Sequence, residues 1–134
     1  GNYSKYLNYH QWQGTQDPSS YLTIPDVINF LNQNNWDKVS NDCQKLNIEA
    51  RKIVNNYLNQ EPISSDEFIG QMSSVRVKCK NTFELQRIFY ENYKIIIPII
   101  KWEDSIFLRF SIQAYNSMED IEKLIFALKK IKDI

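Results

Sequence analysis

Residues 36–58 read WDKVSNDCQKLNIEARKIVNNYL. Trp36, Val39, Cys43, Leu46, Ala50, Ile53 and Tyr57 recur at spacings of three and four, with Val54 and Leu58 widening the stripe. That is the period of one helical face. Lys38, Asp42, Lys45, Glu49, Lys52 and Asn56 fall on the other side. The pattern predicts a core-facing amphipathic helix of about six turns at 3.6 residues per turn.

Downstream of this helix the period changes. Pro62 sits in a loop over residues 61–66. Met72, Val75 and Val77 then alternate, imperfectly, with polar residues, which predicts a strand over 72–79. Asn81 with Glu84 has the form of a capping box and opens a helix bearing Phe83, Ile88, Phe89 and Tyr93. Residues 95–102 are rich in β-branched side chains, but Pro98 lacks a ladder donor, so this strand belongs at an edge or a bulge. A turn at 103–105 leads into a further strand over 106–114. Asn116 with Glu119 then caps a last helix, with Met118, Ile121, Leu124, Ile125, Leu128 and Ile131 toward the core.

Upstream, Asn32 to Asn35 interrupt a helix that starts near Pro25 and carries Val27, Ile28, Phe30 and Leu31. Asp17-Pro18 reads as an N-cap and first-turn proline for a short turn through Tyr21 and Leu22. Residues 1–16, with Tyr3, Tyr6, Tyr9, His10 and Trp12, are polar, aromatic-rich and aperiodic, so they read as an extended segment. The whole predicts an α+β domain over 17–134. It has a small, mostly antiparallel sheet of about three strands with helices packed on one face, preceded by the long amphipathic helix.

With 134 residues and 16 basic against 16 acidic side chains, the chain has one domain's worth of core and no net charge. That balance argues against nucleic acid or an anionic membrane as partner, and no basic block strengthens the case. The longest apolar run, residues 95–100, is too short to span a bilayer, and no signal peptide is apparent. Cys43 and Cys79 lack metal-binding spacing and read as free thiols in a reducing, cytoplasmic setting. Gly1 at the start fits a residue left by removal of a tag, which places the natural start inside a longer chain.

The residues alone assemble no catalytic set and no metal site. His10 is the single histidine, and three glycines cannot build a phosphate-binding GxGxxG loop or a P-loop. Three features remain. Gly14-Thr15 precedes a helix start, where backbone amides and a hydroxyl suit an anion, or form an ordinary loop. Arg109, in Leu108-Arg109-Phe110-Ser111, is the one arginine of a hydrophobic strand. A guanidinium fork can grip a carboxylate through two hydrogen bonds, although alternation alone favours an outward-facing residue on a half-exposed strand. Pro98 with Trp102 either lines a cleft or packs a strand edge.

Read together and in order, these segments resemble one family. His10-Gln11-Trp12-Gln13-Gly14-Thr15-Gln16-Asp17-Pro18-Ser19 resembles the W-x-G-T-x-D-P-S stretch of class V aminotransferase-like proteins, and Tyr21 to Pro25 continue it. Phe68-Ile69-Gly70-Gln71-Met72 is similar to the entry into the first strand of that family's C-terminal small domain. Ile97-Pro98-Ile99 with Trp102, then Leu108-Arg109-Phe110-Ser111-Ile112-Gln113-Ala114-Tyr115-Asn116, is similar to the end of that domain. Within the family, these stretches are most similar to the isopenicillin N epimerase-like branch.

The resemblance implies a fold type I pyridoxal-phosphate enzyme acting on an amino-acid substrate as a homodimer, with the cofactor at the subunit interface. Gly14 and Thr15 would reach the phosphate of the partner subunit's cofactor, and Arg109 would bind the substrate α-carboxylate. The lysine that anchors the cofactor lies upstream in the family, and none of the twelve lysines here occupies that motif. This chain alone is therefore expected to hold no cofactor, supply no catalytic residue and turn nothing over. The alternative is a free-standing α+β module that binds a small ligand or a protein partner.

Overall fold

A computed structural model describes residues 4–11 and 14–131. The chain divides into two compact units, Gly1–Trp36 and Asp37–Ile134. The first holds three helices: α1 (Lys5–His10), α2 (Ser19–Leu22) and α3 (Ile24–Gln33). Helix α1 falls in a stretch whose aperiodic sequence predicts extended chain. Its local support is the Ser4 hydroxyl, which accepts from Leu7 N at 3.3 Å, and the Tyr6 and His10 rings, one turn apart at 4.5 Å. Pro25 stands in the first turn of α3, and Asn34 and the left-handed Asn35 (φ 47°) close it. Neither α2 nor α3 has a buried residue.

The second unit holds the sheet. Helix α4 (Trp36–Leu58) occupies the span its periodicity predicts, and all six charged or amide positions assigned to its outer side are exposed. After a 3₁₀ turn (Asp66–Phe68) come β1 (Met72–Val77), α5 (Thr82–Tyr93), β2 (Ile99–Trp102), β3 (Ser105–Ser111) and α6 (Met118–Lys130). Strand order is β1-β3-β2, antiparallel throughout. The proline-bearing strand is thus at an edge, as expected, and pairs from Ile99 onward. Lys94, left-handed at φ 57°, ends α5, and Ile95 N still bonds back to Phe89 O.

One face of the sheet carries the core. Val75, Val77, Leu108, Phe110 and Ile99 pack in a single buried cluster with Cys43, Ala50 and Val54 of α4, Leu85 and Phe89 of α5, and Ile121, Leu124 and Leu128 of α6. Helices therefore cover one sheet face only, in the α+β arrangement read from the sequence. Cys43 and Cys79 are unpaired. Among the described residues no helix is long and apolar enough to cross a membrane.

Two details differ from the sequence reading. The cap of α6 is Ser117 with Asp120, a reciprocal capping box, one residue beyond the expected Asn116 and Glu119. Asn116 Oδ1 is instead engaged by Gln113 N at 2.9 Å, which fixes the turn that ends β3 at Ser111. Asn81 does cap α5, accepting from Phe83 N and Glu84 N, but Glu84 turns outward to pair with Arg87 and leaves the box half made.

Helix α4 also buries a polar stripe. Asn47, Arg51 and Asn55, each one turn apart, are buried among apolar neighbours. With Gln44 they hold the segment that leads into the sheet. Gln44 Nε2 donates to Ile69 O (2.6 Å), Asn47 Nδ2 to Gly70 O (2.8 Å) and Arg51 Nη1 to Ser64 O (2.9 Å), while Arg51 Nη2 pairs with Asp66. Gln71 then bridges to the end of β3. Its carbonyl accepts from Ile112 N at 2.8 Å and its Nε2 donates to Ile112 O at 2.9 Å. This clasp fixes the register that sets Ser74 opposite Arg109.

Candidate functional site

In the first unit, Gly14 adopts φ 91°, a left-handed conformation that glycine reaches without a steric penalty. A Cβ there would meet nothing within 4 Å, so backbone conformation and not crowding demands glycine. Thr15 is exposed. Among the described residues the amides of Gly14 and Thr15 and the Thr15 hydroxyl have no hydrogen-bond acceptor. Open backbone N–H groups beside a hydroxyl are donors of the kind a phosphate takes. The helix that follows contributes little, because α2 is a single turn and a macrodipole needs length. Asp17 is turned onto it, accepting from Ser19 N at 2.9 Å and from the Ser19 hydroxyl, and these bonds hold its carboxyl below the ordinary range. Trp12 and Gln13, which belong to the same sequence stretch, lie outside the described residues.

Arg109 lies in the second unit, on the central strand β3. Alternation from the buried Leu108 and Phe110 puts it on the sheet face that α4, α5 and α6 leave uncovered. It is half-buried, and its amide bonds to Pro98 O at 3.0 Å, which extends the pairing with the edge strand. Its guanidinium has no ion pair and no hydrogen bond among the described residues. The same face carries Met72, Ser74 and Arg76 of β1, Phe107 and Ser111 of β3, and Ile100 and Trp102 of β2. Trp102, expected at a cleft or a strand edge, is an exposed residue at the end of edge strand β2.

Two neighbours of Arg109 escaped the sequence reading. Ser74 is its direct cross-strand partner, and Arg76, two residues on, stacks its guanidinium over Phe107 at 5.9 Å. The available signal was the alternation of β1, whose polar positions 74 and 76 oppose the core positions 75 and 77. Placing them beside Arg109 requires the pairing register, which no local pattern supplies. Gly14 and Thr15 belong to the first unit and Arg109 to the second. Among the described residues no three or more His, Cys, Asp or Glu side chains gather as a metal-binding group.

No family model matches the chain. It is similar to isopenicillin N epimerase from Amycolatopsis lactamdurans, 25% identical over 122 residues that cover 89% of this chain and 31% of that protein. Its fold is similar to that of 8-amino-7-oxononanoate synthase from Francisella tularensis, with a TM-score of 0.57 and 22% identity. That match covers 77% of this chain and 30% of the other. The chain thus spans about a third of the length of each. The first similarity upholds the resemblance read from the sequence, and the second upholds the fold.

Proposed function

We propose that this chain is the C-terminal small domain of a larger pyridoxal-phosphate enzyme that acts on an amino acid, in the manner of class V aminotransferase-like and isopenicillin N epimerase-like proteins. The observation that carries the reading is Arg109, unpaired on the uncovered sheet face within the Leu108 to Ser111 run. The similarity over 89% of the chain supports it. The cofactor, when bound, supplies the electron sink for reaction at the amino-acid Cα.

The residues present fit their share of such a site. Arg109 would receive the α-carboxylate through two parallel N–H···O bonds, which fix both the position and the plane of the amino acid. An amino acid so held presents one Cα bond in a set direction, and that orientation replaces a random encounter. The Gly14 and Thr15 amides and the Thr15 hydroxyl would donate to the cofactor phosphate of the partner subunit in a homodimer. The remaining catalytic groups, including the anchoring lysine, would come from the portion of the enzyme that precedes Gly14.

The test is Arg109→Ala in the longer enzyme. Losing a charged, bidentate partner costs about 2–4 kcal/mol where the pair is partly desolvated, or roughly 30- to 1000-fold in affinity. KM for the amino acid is expected to rise accordingly, with Arg109→Lys recovering only part of the loss because an ammonium lacks the planar fork. An unchanged kcat/KM would remove Arg109 from the site.

A further inference from the structure

Four arginines occur in the sequence, and they fall into two pairs by surroundings. Arg51 meets Asp66, and Arg87 meets Glu84 and Glu91. Arg76 and Arg109 meet no carboxylate among the described residues. Both stand on the sheet face that α4, α5 and α6 leave uncovered, in one two-by-two block of the antiparallel ladder. Ser74 is opposite Arg109, and Arg76 is opposite Phe107. The two arginines are therefore diagonal neighbours, about 7–8 Å apart at the backbone, with Ser74 and Phe107 at the other corners. Two like charges on adjacent strands repel and gain nothing from each other. The apolar register positions next to them on this face are Met72, Ile100 and Phe107, none of which can neutralise them.

Arg76 is also held in place. Its guanidinium lies 5.9 Å from the centroid of the ring of Phe107, its direct cross-strand partner, so it packs over β3 on this face. That stacking leaves the N–H edge of the guanidinium free to donate, and the Ser74 hydroxyl between the two has no partner among the described residues. A half-exposed double positive charge with a hydroxyl between its centres is matched by a ligand with two acidic groups a few carbons apart.

We infer that Arg76 and Ser74 form a second acidic-group subsite beside Arg109, so that the amino acid bound here carries a second carboxylate or equivalent acidic group on its side chain. The inference rests on the reading of Arg109 as the α-carboxylate partner and narrows the substrate to an amino diacid. Arg109 grips one acid group and Arg76 the other, each through its N–H donors. The Phe107 ring, a corner of the same block, supplies apolar contact for the methylenes between.

The test uses this chain as it stands, with its arginine Nε–Hε resonances followed by NMR during titration with butyrate and, separately, glutarate. Both acids are expected to shift Arg109, and only glutarate to shift Arg76, with a Kd at least about tenfold lower than that of butyrate, since each 1.4 kcal/mol is a factor of ten. Arg76→Gln is expected to abolish the preference. Lys101→Gln, which removes the same charge from a core-side register position of β2, is expected to keep it. Equal affinities for the two acids, with Arg109 shifting in both, would overturn the second subsite and leave the Arg109 assignment standing. No shift at Arg109 with either acid, in a chain whose amide spectrum is folded, would overturn the Arg109 assignment itself.

Discussion

Replacing Asn55 by leucine is expected to stabilise the chain, while the same replacement one turn earlier, at Arg51, is expected to destabilise it. Asn55 is 4% exposed, and neither Nδ2 nor Oδ1 has a partner among the described residues. A buried polar group left unpaired costs about 1–3 kcal/mol. Leucine also favours helix over asparagine by about 0.5 kcal/mol. Against these stands the imperfect fit of a near-isosteric side chain, about 1 kcal/mol. The net gain of about 0.5–2.5 kcal/mol corresponds to roughly 2–9 °C in Tm for a domain of this size. Arg51 is equally buried but employed: it donates to Ser64 O at 2.9 Å and pairs with Asp66. Hydrogen bonds of a charged donor are worth about 1.5–3 kcal/mol each. Their loss outweighs the relief of the one unpaired Nε, and Arg51→Leu should lower stability by about 1–3 kcal/mol. Urea and thermal melts followed by circular dichroism measure both, with the m-value checking that the unfolded reference is unchanged. A fall in Tm for Asn55→Leu would refute the reasoning, because it would mean that ordered water satisfies the amide in the native chain.

Other expectations follow from the same contacts. The Asp66 carboxyl is held below its ordinary value of 3.8, first by Lys52 and then by Arg51. The unfolded chain takes up that proton first, so the pair's contribution is complete above about pH 4 and is lost as pH falls through the lower folded value. Asp66→Asn should therefore lower the urea midpoint near neutral pH and narrow its difference from the unsubstituted chain below about pH 4. Burial pushes the Cys79 thiol up, so iodoacetamide should alkylate it more slowly than free cysteine at about pH 8. Cys43, buried on α4, should react only on unfolding, and mass spectrometry of the labelled peptides separates the two.

The elements that were legible in the sequence are those whose signals are local. Helix α4 announced its full span through its 3.6-residue period, and Pro98 marked an edge strand because a missing N–H cannot serve a central one. What stayed hidden depends on partners distant in sequence. The buried positions of Asn47, Arg51 and Asn55 had no local signal, since nothing in the 36–58 period says that the 64–71 segment returns to cover them. Ser117 displaced Asn116 as the α6 cap because the Asn116 side chain was already engaged by Gln113 N. Arg109 was visible as an isolated charge in an apolar strand. Its neighbours Ser74 and Arg76, 35 and 33 positions away, become neighbours only through the β1–β3 register. Gly14 was legible in another way, since its conformation at φ 91° is one that the residue type itself permits.

The most direct test of the central claim is the size and cofactor content of the native protein, captured from its source cells with an antibody raised against residues 36–131. A species about three times the length of this chain, in keeping with its 31% share of the epimerase it matches, is expected to carry pyridoxal phosphate by visible absorbance and phosphate release. A species of this chain's own length, free of the cofactor, would contradict the claim and leave Arg109 as the carboxylate sensor of a free-standing module.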